Sequence, residues 1–198
     1  MHYAIQHQSQ SFPYLHTTSR KKSLKNILLR VDNGLVLLRM GKMEYAVEPG
    51  QFVWVPFDCL TAMSYFPNTL VQSVEISSRV TLPMPKQGGF VEPNELTNAI
   101  INRLAQTTES SPSELLNVLK LELASIKPVL ALTPLSEQIN QWAITHHSSL
   151  TPEIQLVLKM REVRKRLLSG QKELKVVEEL FNGQREIFTQ LSSSILGH

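Results

Sequence analysis

A single cysteine, Cys59, stands among 198 residues, so no internal disulfide can staple the fold, and there is no Cys/His grid at zinc-ligand spacing. That usage fits a reducing, cytoplasmic setting. Also missing is any run of about 18 or more apolar residues, and the opening stretch, residues 1–23, is polar with no apolar signal segment. Membrane insertion and secretion are therefore not expected. The formal charge of +3 is too small to require a nucleic-acid partner. With 42% hydrophobic and 19% charged residues the chain is not poor enough in apolar side chains to read as disordered, and it can build one large or two small cores. No internal repeat and no low-complexity tract occurs.

What is present divides in two. From Gly34 to Phe57 apolar residues alternate and are broken by turns. Val36 and Leu38 share a strand face, Met40-Gly41-Lys42 can turn, Glu44 to Val47 is extended, and Glu48-Pro49-Gly50-Gln51 suits a β-turn before Phe52 to Pro56. The same patterning predicts strands over Lys25–Val31, Leu35–Met40, Ala62–Phe66 and Leu70–Ile76. A Pro/Gly connector, Leu82 to Gly89, ends this character. Helix signals follow. Glu92-Pro93-Asn94-Glu95 and Ser110-Ser111-Pro112-Ser113-Glu114 open two helices that suit an antiparallel hairpin. Thr133-Pro134 opens a third, and Thr151-Pro152 a long fourth that stops at Ser169-Gly170. A fifth runs from Lys172 to Phe181 and a sixth from Arg185 to Leu196, with Asn182-Gly183 between them.

Charge is unevenly placed. Arg20-Lys21-Lys22 with Lys25 forms one basic cluster, and Lys159, Arg161, Arg164, Lys165 and Arg166 form a second on the fourth helix. A solvated face is the better reading of the first, and it accounts for the second as readily as a phosphate partner does. In the strand-rich half the carboxylates Glu44, Glu48, Asp58 and Glu75 stand near no serine or cysteine nucleophile with a basic partner. Cys59, beside apolar Leu60, reads as a small buried hydrophobe. The aromatics Tyr45, Trp54, Phe57 and Tyr65 are candidates for lining a ligand pocket, while Phe52 and Trp54, on one strand face, suit the filling of a barrel core better.

The short strands around Gly41, Pro49-Gly50 and Pro56 resemble the cupin barrel, a jelly roll of two sheets. A metal-dependent cupin implies an HxH pair with a downstream Glu and a further His after the PxG turn. None of these histidines is present: His2, His7 and His16 precede the barrel core, His146 and His147 fall in the helical half, and His198 ends the chain. No metal, no cofactor and no enzymatic activity are expected.

A barrel, a helical hairpin and a helical C-terminal half together resemble AraC-type bacterial transcription regulators. The resemblance rests on Arg164-Lys165-Arg166-Leu167-Leu168-Ser169-Gly170, on Leu174 to Leu180, and on Asn182-Gly183 followed by Arg185 to Leu196, with Phe188 and Gly197 at the family spacing. The chain departs from the pattern at Val177, Phe181-Asn182, Gln190 and Ser192, and Leu135 to Leu168 is too short for a complete first helix-turn-helix unit plus a linking helix. The resemblance implies a degenerate, shortened DNA-binding half. Gln184, Arg185, Thr189 and Gln190 are the candidate base readers, and Lys159, Arg161, Arg164, Lys165 and Arg166 the candidate phosphate contacts.

The resulting expectation is an α+β chain. Residues 1–82 form a cupin-like sensor or oligomerisation barrel, 83–128 a linker and hairpin, and 129–198 the helix-turn-helix-like part. The function is that of a transcription regulator with duplex DNA, a second copy and a small-molecule effector as candidate partners. The other reading is a module that modulates a related regulator without binding DNA. Ile100, Ile101, Leu104, Leu115, Leu116 and Leu119 repeat at helical spacing on neighbouring helices and are the candidates for a dimer contact, although they could instead pack within one chain.

Overall fold

The computed structural model describes residues 4–106, 113–144 and 148–197. The helix start at Ser110 to Pro112 and the histidines His2, His146, His147 and His198 lie outside the described residues. The strands are β1 (Ile5–Phe12), β2 (His16–Thr17), β3 (Lys21–Lys22), β4 (Lys25–Asn33), β5 (Val36–Met40), β6 (Met43–Val47), β7 (Phe52–Val55), β8 (Leu60–Tyr65), β9 (Thr69–Ser77) and β10 (Gly89–Val91). The helices are α1 (Glu95–Gln106), α2 (Ser113–Leu123), α3 (Pro134–Gln141), α4 (Pro152–Leu168), α5 (Glu173–Phe181) and α6 (Arg185–Leu191), the last running into a π-helical turn at Ser192–Leu196.

The strands form two antiparallel sheets with orders β1-β9-β4-β7-β10 and β2-β8-β5-β6, with β3 also paired to β8. Turn chemistry sets the registers. Gly41 (φ +62°) lets β5 and β6 close in a two-residue turn. Pro49 and Gly50 (φ +84°) shape the bend in which the Gln51 amide donates to the Glu48 carbonyl at 3.0 Å.

Alternation along each strand then sorts side chains between three cores. Val36, Leu38 and Met40 point inward with Val31, Tyr45, Val47, Val53, Val55, Met63, Tyr65 and Val71, filling the space between the sheets. Leu28, Phe52, Trp54, Val74 and Ile76 point outward from the first sheet and are covered by Ile100, Ile101, Leu104, Leu116, Leu119 and Leu123 of the α1/α2 hairpin. Leu35, Leu37 and Ala46, with Leu15 and Phe66, face outward from the second sheet, where α3 to α6 cover them with Ile139, Leu158, Met160, Val163, Val176, Phe181, Phe188 and Ile195. The barrel is thus the middle layer between two helical layers.

Two expectations are corrected here. Phe52 and Trp54 do not fill the barrel, because even positions of β7 face the hairpin; Val53 and Val55 face inward. The apolar residues of α1 and α2 offered for a dimer contact are buried within one chain, Leu119 completely and Ile101 to 1% exposure, with Leu115 half-buried beside them. Their physical reason for burial is the outer face of the first sheet, which leaves five large apolar side chains to cover.

Candidate nucleic-acid interface

The helices of this half are built by local signals. Thr151 Oγ1 accepts from the Ile154 amide and Pro152 occupies the first turn of α4. Thr133 and Pro134 do the same for α3. α5 ends where Asn182 enters the left-handed region (φ +51°) and Gly183 (φ +77°) continues it, so the chain reverses in three residues and α6 begins after Gln184. Phe181 and Phe188 meet edge to face across this turn at 5.6 Å between ring centroids, fixing α5 against α6.

This geometry leaves each of the candidate base readers exposed. Gln184, Arg185, Thr189 and Gln190 all face solvent while Phe188 is buried. Thr189 Oγ1 donates back to the Arg185 carbonyl at 3.0 Å. Ile187 is 44% exposed. The helix also ends early: its last turn widens into the π-helical Ser192–Leu196, where Ile195 and Leu196 are buried.

The candidate phosphate contacts fare differently. Arg161 holds the Glu44 carboxylate with both terminal nitrogens, at 2.9 and 2.8 Å, and both side chains are half-buried. Arg164 Nη1 donates to the Leu15 carbonyl at 2.8 Å. Arg166 bridges Glu162 (3.0 Å) and Glu179 (2.7 Å). Lys159 Nζ sits 4.2 Å from the centre of the Phe181 ring, and burial holds its pKa below the ordinary value. Burial acts to raise the Glu162 carboxyl, but hydrogen bonds and charge from Arg166 and Lys165 outweigh it and bring it below the usual range. Only Lys165 of the five keeps its side chain mostly in solvent, at 78%. From residue 172 onward three cations (Lys172, Lys175, Arg185) face four carboxylates (Glu173, Glu178, Glu179, Glu186). Arg185 itself lies 3.7 Å from Glu173.

Sequence reasoning missed the residues that dock this half on the barrel. Glu44 is the centre: its carboxylate takes Arg161, its amide donates to Asn140 Oδ1 at 2.9 Å, and its carbonyl accepts from Asn140 Nδ2 at 2.7 Å. The Leu15 amide donates to the Ile195 carbonyl, and the Tyr14 ring lies so close to Gly197 that a Cβ there would come within 2.6 Å of it. The signal in the sequence was slight: Ser136 and Asn140, polar and one helical turn apart, on the same side as buried Ile139.

The candidate pocket aromatics are not brought together. Tyr45 and Tyr65 are inside the barrel, Trp54 lies under the hairpin with Nε1 donating to the Pro85 carbonyl at 2.9 Å, and Phe57 is 49% exposed. Tyr65 stacks on Phe12 at 4.0 Å and lines a cavity of about 290 Å³ at the barrel mouth beside Lys21, Lys22 and Lys25. Burial pushes its pKa up to about 12, so it stays protonated. A second, apolar cavity of about 470 Å³ lies between Leu35 and Phe66 of the barrel and Leu135, Leu156 and Ile195 of the helices. Among the described residues no group of three His, Cys, Asp or Glu could hold a metal, and no helix is long and apolar enough to cross a membrane.

In sequence, no family model and no curated protein matches the chain. Solved structures similar in architecture include ToxT from Vibrio cholerae, 9% identical with a TM-score of 0.41 over 97% of this chain and 94% of that one. A second ToxT structure is 11% identical with a TM-score of 0.42, covering 90% and 80%. A cupin superfamily protein from Desulfitobacterium hafniense covers 39% of this chain and 72% of its own, at 13% identity and a TM-score of 0.35. The chain is α+β, with two antiparallel sheets in its N-terminal half and helices in its C-terminal half.

Proposed function

We propose that the chain is a cytoplasmic transcription regulator of the AraC type that contacts duplex DNA through α6 alone. The observation that carries this reading is the tight left-handed turn at Asn182-Gly183, after which Gln184, Arg185, Thr189 and Gln190 are exposed while Phe188 is buried. A helix-turn-helix reader needs that division between an anchored inner side and short polar or basic groups outside. Arginine suits guanine edges and glutamine suits adenine. With most α4 cations engaged inside the chain, contact to phosphate is thin, so affinity rests on few charges. The cavity at the barrel mouth beside Tyr65 is the place for a small-molecule effector.

The test is selection of duplexes from fragmented host genomic DNA at two salt concentrations, with the chain and with its Gln184→Ala/Arg185→Ala form. The expected outcome is a common site that the double substitution relaxes. The absence of any common site supports the second reading, a module that modulates a related regulator by protein contact. That reading is favoured by the internal pairing of Arg161, Arg164 and Arg166.

A further inference from the structure

β6 ends its sheet, and its outer edge is closed by side chains instead of by another strand. The Glu44 amide donates to Asn140 Oδ1 at 2.9 Å, the Glu44 carbonyl accepts from Asn140 Nδ2 at 2.7 Å, and the Ala46 amide donates to Ser136 Oγ at 2.9 Å. Ser136 and Asn140 are one turn apart on α3, so their spacing along the helix matches the spacing of alternate residues along a strand. Ser136 Oγ is steadied by Thr133 Oγ1 at 2.8 Å, and Asn140 Nδ2 also donates to the Ser136 carbonyl at 2.7 Å.

We propose that the β6 edge is a pairing surface for a second copy of this chain, and that α3 acts as a surrogate strand that occupies it in the closed chain. An antiparallel pair with its twofold axis at Tyr45 sets Glu44 of one copy across from Ala46 of the other, and Met43 across from Val47. The groups such a pair uses include the Glu44 amide and carbonyl and the Ala46 amide, the three that α3 now engages. No carboxylate then faces another carboxylate directly, and apolar Met43 and Val47 are matched, so nothing in the edge itself opposes self-pairing. Arg161 on the Glu44 carboxylate reinforces the closed form from α4. This inference goes beyond the proposed function and does not depend on DNA binding.

The experiment compares the full chain with its Ser136→Ala/Asn140→Ala form by light scattering over a wide concentration range, together with amide exchange at Glu44 and Ala46. Three edge bonds are freed, so self-association is expected to tighten by at least about a hundredfold. The mass should double with concentration and both amides should be protected in the dimer. Adding Ala46→Pro should return the monomer, because that amide points off the edge and its loss spares the pairing with β5. A folded double variant that remains monomeric throughout, or a dimer that survives Ala46→Pro, overturns the proposal. Should the double variant fail to fold, Asn140→Ala alone, which frees the Glu44 amide and carbonyl and keeps the Ser136 bond to Ala46, is judged by the mass, by exchange at Glu44 and by loss of the dimer on adding Ala46→Pro.

Discussion

The salt dependence of DNA binding separates a reader with a full basic face from the one described above. Were all five α4 cations and Arg185 to touch phosphate, six counterions would be released, giving a slope of log K on log salt of about −5.4. Raising salt from about 50 to about 200 mM would then weaken binding by roughly 1,800-fold. In the structure Arg161, Arg164 and Arg166 are committed to Glu44, the Leu15 carbonyl and Glu179, and Lys159 lies over Phe181. That leaves Lys165 and Arg185, with exposed Lys172 and Lys175, as the cations that face water. Four released counterions give a slope of about −3.6 and a loss of roughly 150-fold over the same range. Fluorescence anisotropy of a labelled duplex, titrated at four salt concentrations, measures the slope directly. A value near −5 refutes the reasoning, since it requires the internal pairs of α4 to open on DNA.

Three further outcomes are expected. Phe188→Ala removes a buried ring that anchors α6 on Phe181, and should cost about 3–5 kcal/mol in urea denaturation; a loss below 1 kcal/mol would show that α6 is not anchored there. His7 has its pKa lowered from 6.5, chiefly by burial, so the unfolded chain takes up a proton first as pH falls. Its contribution is therefore constant above about pH 6.5 and turns destabilising below it, and His7→Gln should flatten that part of the stability–pH curve measured by thermal melting. Burial first, then the Asp58 charge, raises the Cys59 thiol pKa, so its alkylation at pH 8 should be slower than that of an unhindered cysteine and should accelerate on unfolding.

Much of the fold was legible because turn and cap residues act locally. Gly41, Pro49-Gly50, Thr133-Pro134 and Thr151-Pro152 placed β5 to β7 and the starts of α3 and α4 to within a residue or two. β1 was not visible, since His7 and Ser9 stand where its outward face should show apolar residues; its place is secured by pairing with Thr69 to Ile76 of β9. β10 is three residues at the end of a Pro/Gly connector and exists because β7 offers an open edge. At the candidate site, the exposure of Gln184, Arg185, Thr189 and Gln190 followed from the turn before them. The fate of the α4 arginines did not, because Glu44 and Leu15, their partners, are 117 and 149 residues away and a helical wheel shows only that one side is basic.

The same long-range partners bear on whether the helical residues 129–198 form a separate unit. Leu15, Leu35, Leu37, Ala46 and Phe66 of the barrel share one core with Ile139, Leu158, Phe188 and Ile195. Exposing the four larger barrel side chains alone costs about 1.5–3 kcal/mol each. That sum is of the order of a whole domain's stability of about 5–15 kcal/mol, before the helical side is counted. The Glu44–Arg161 pair and the Leu15–Ile195 backbone bond cross the same boundary. Calorimetry should therefore give a single transition, in which near-ultraviolet signals from the barrel's Tyr65 and far-ultraviolet helix signals are lost together. A helical transition separate from that of the barrel would mean that the shared core contributes far less than its burial implies, and that α6 is carried on a half free to turn away from the barrel.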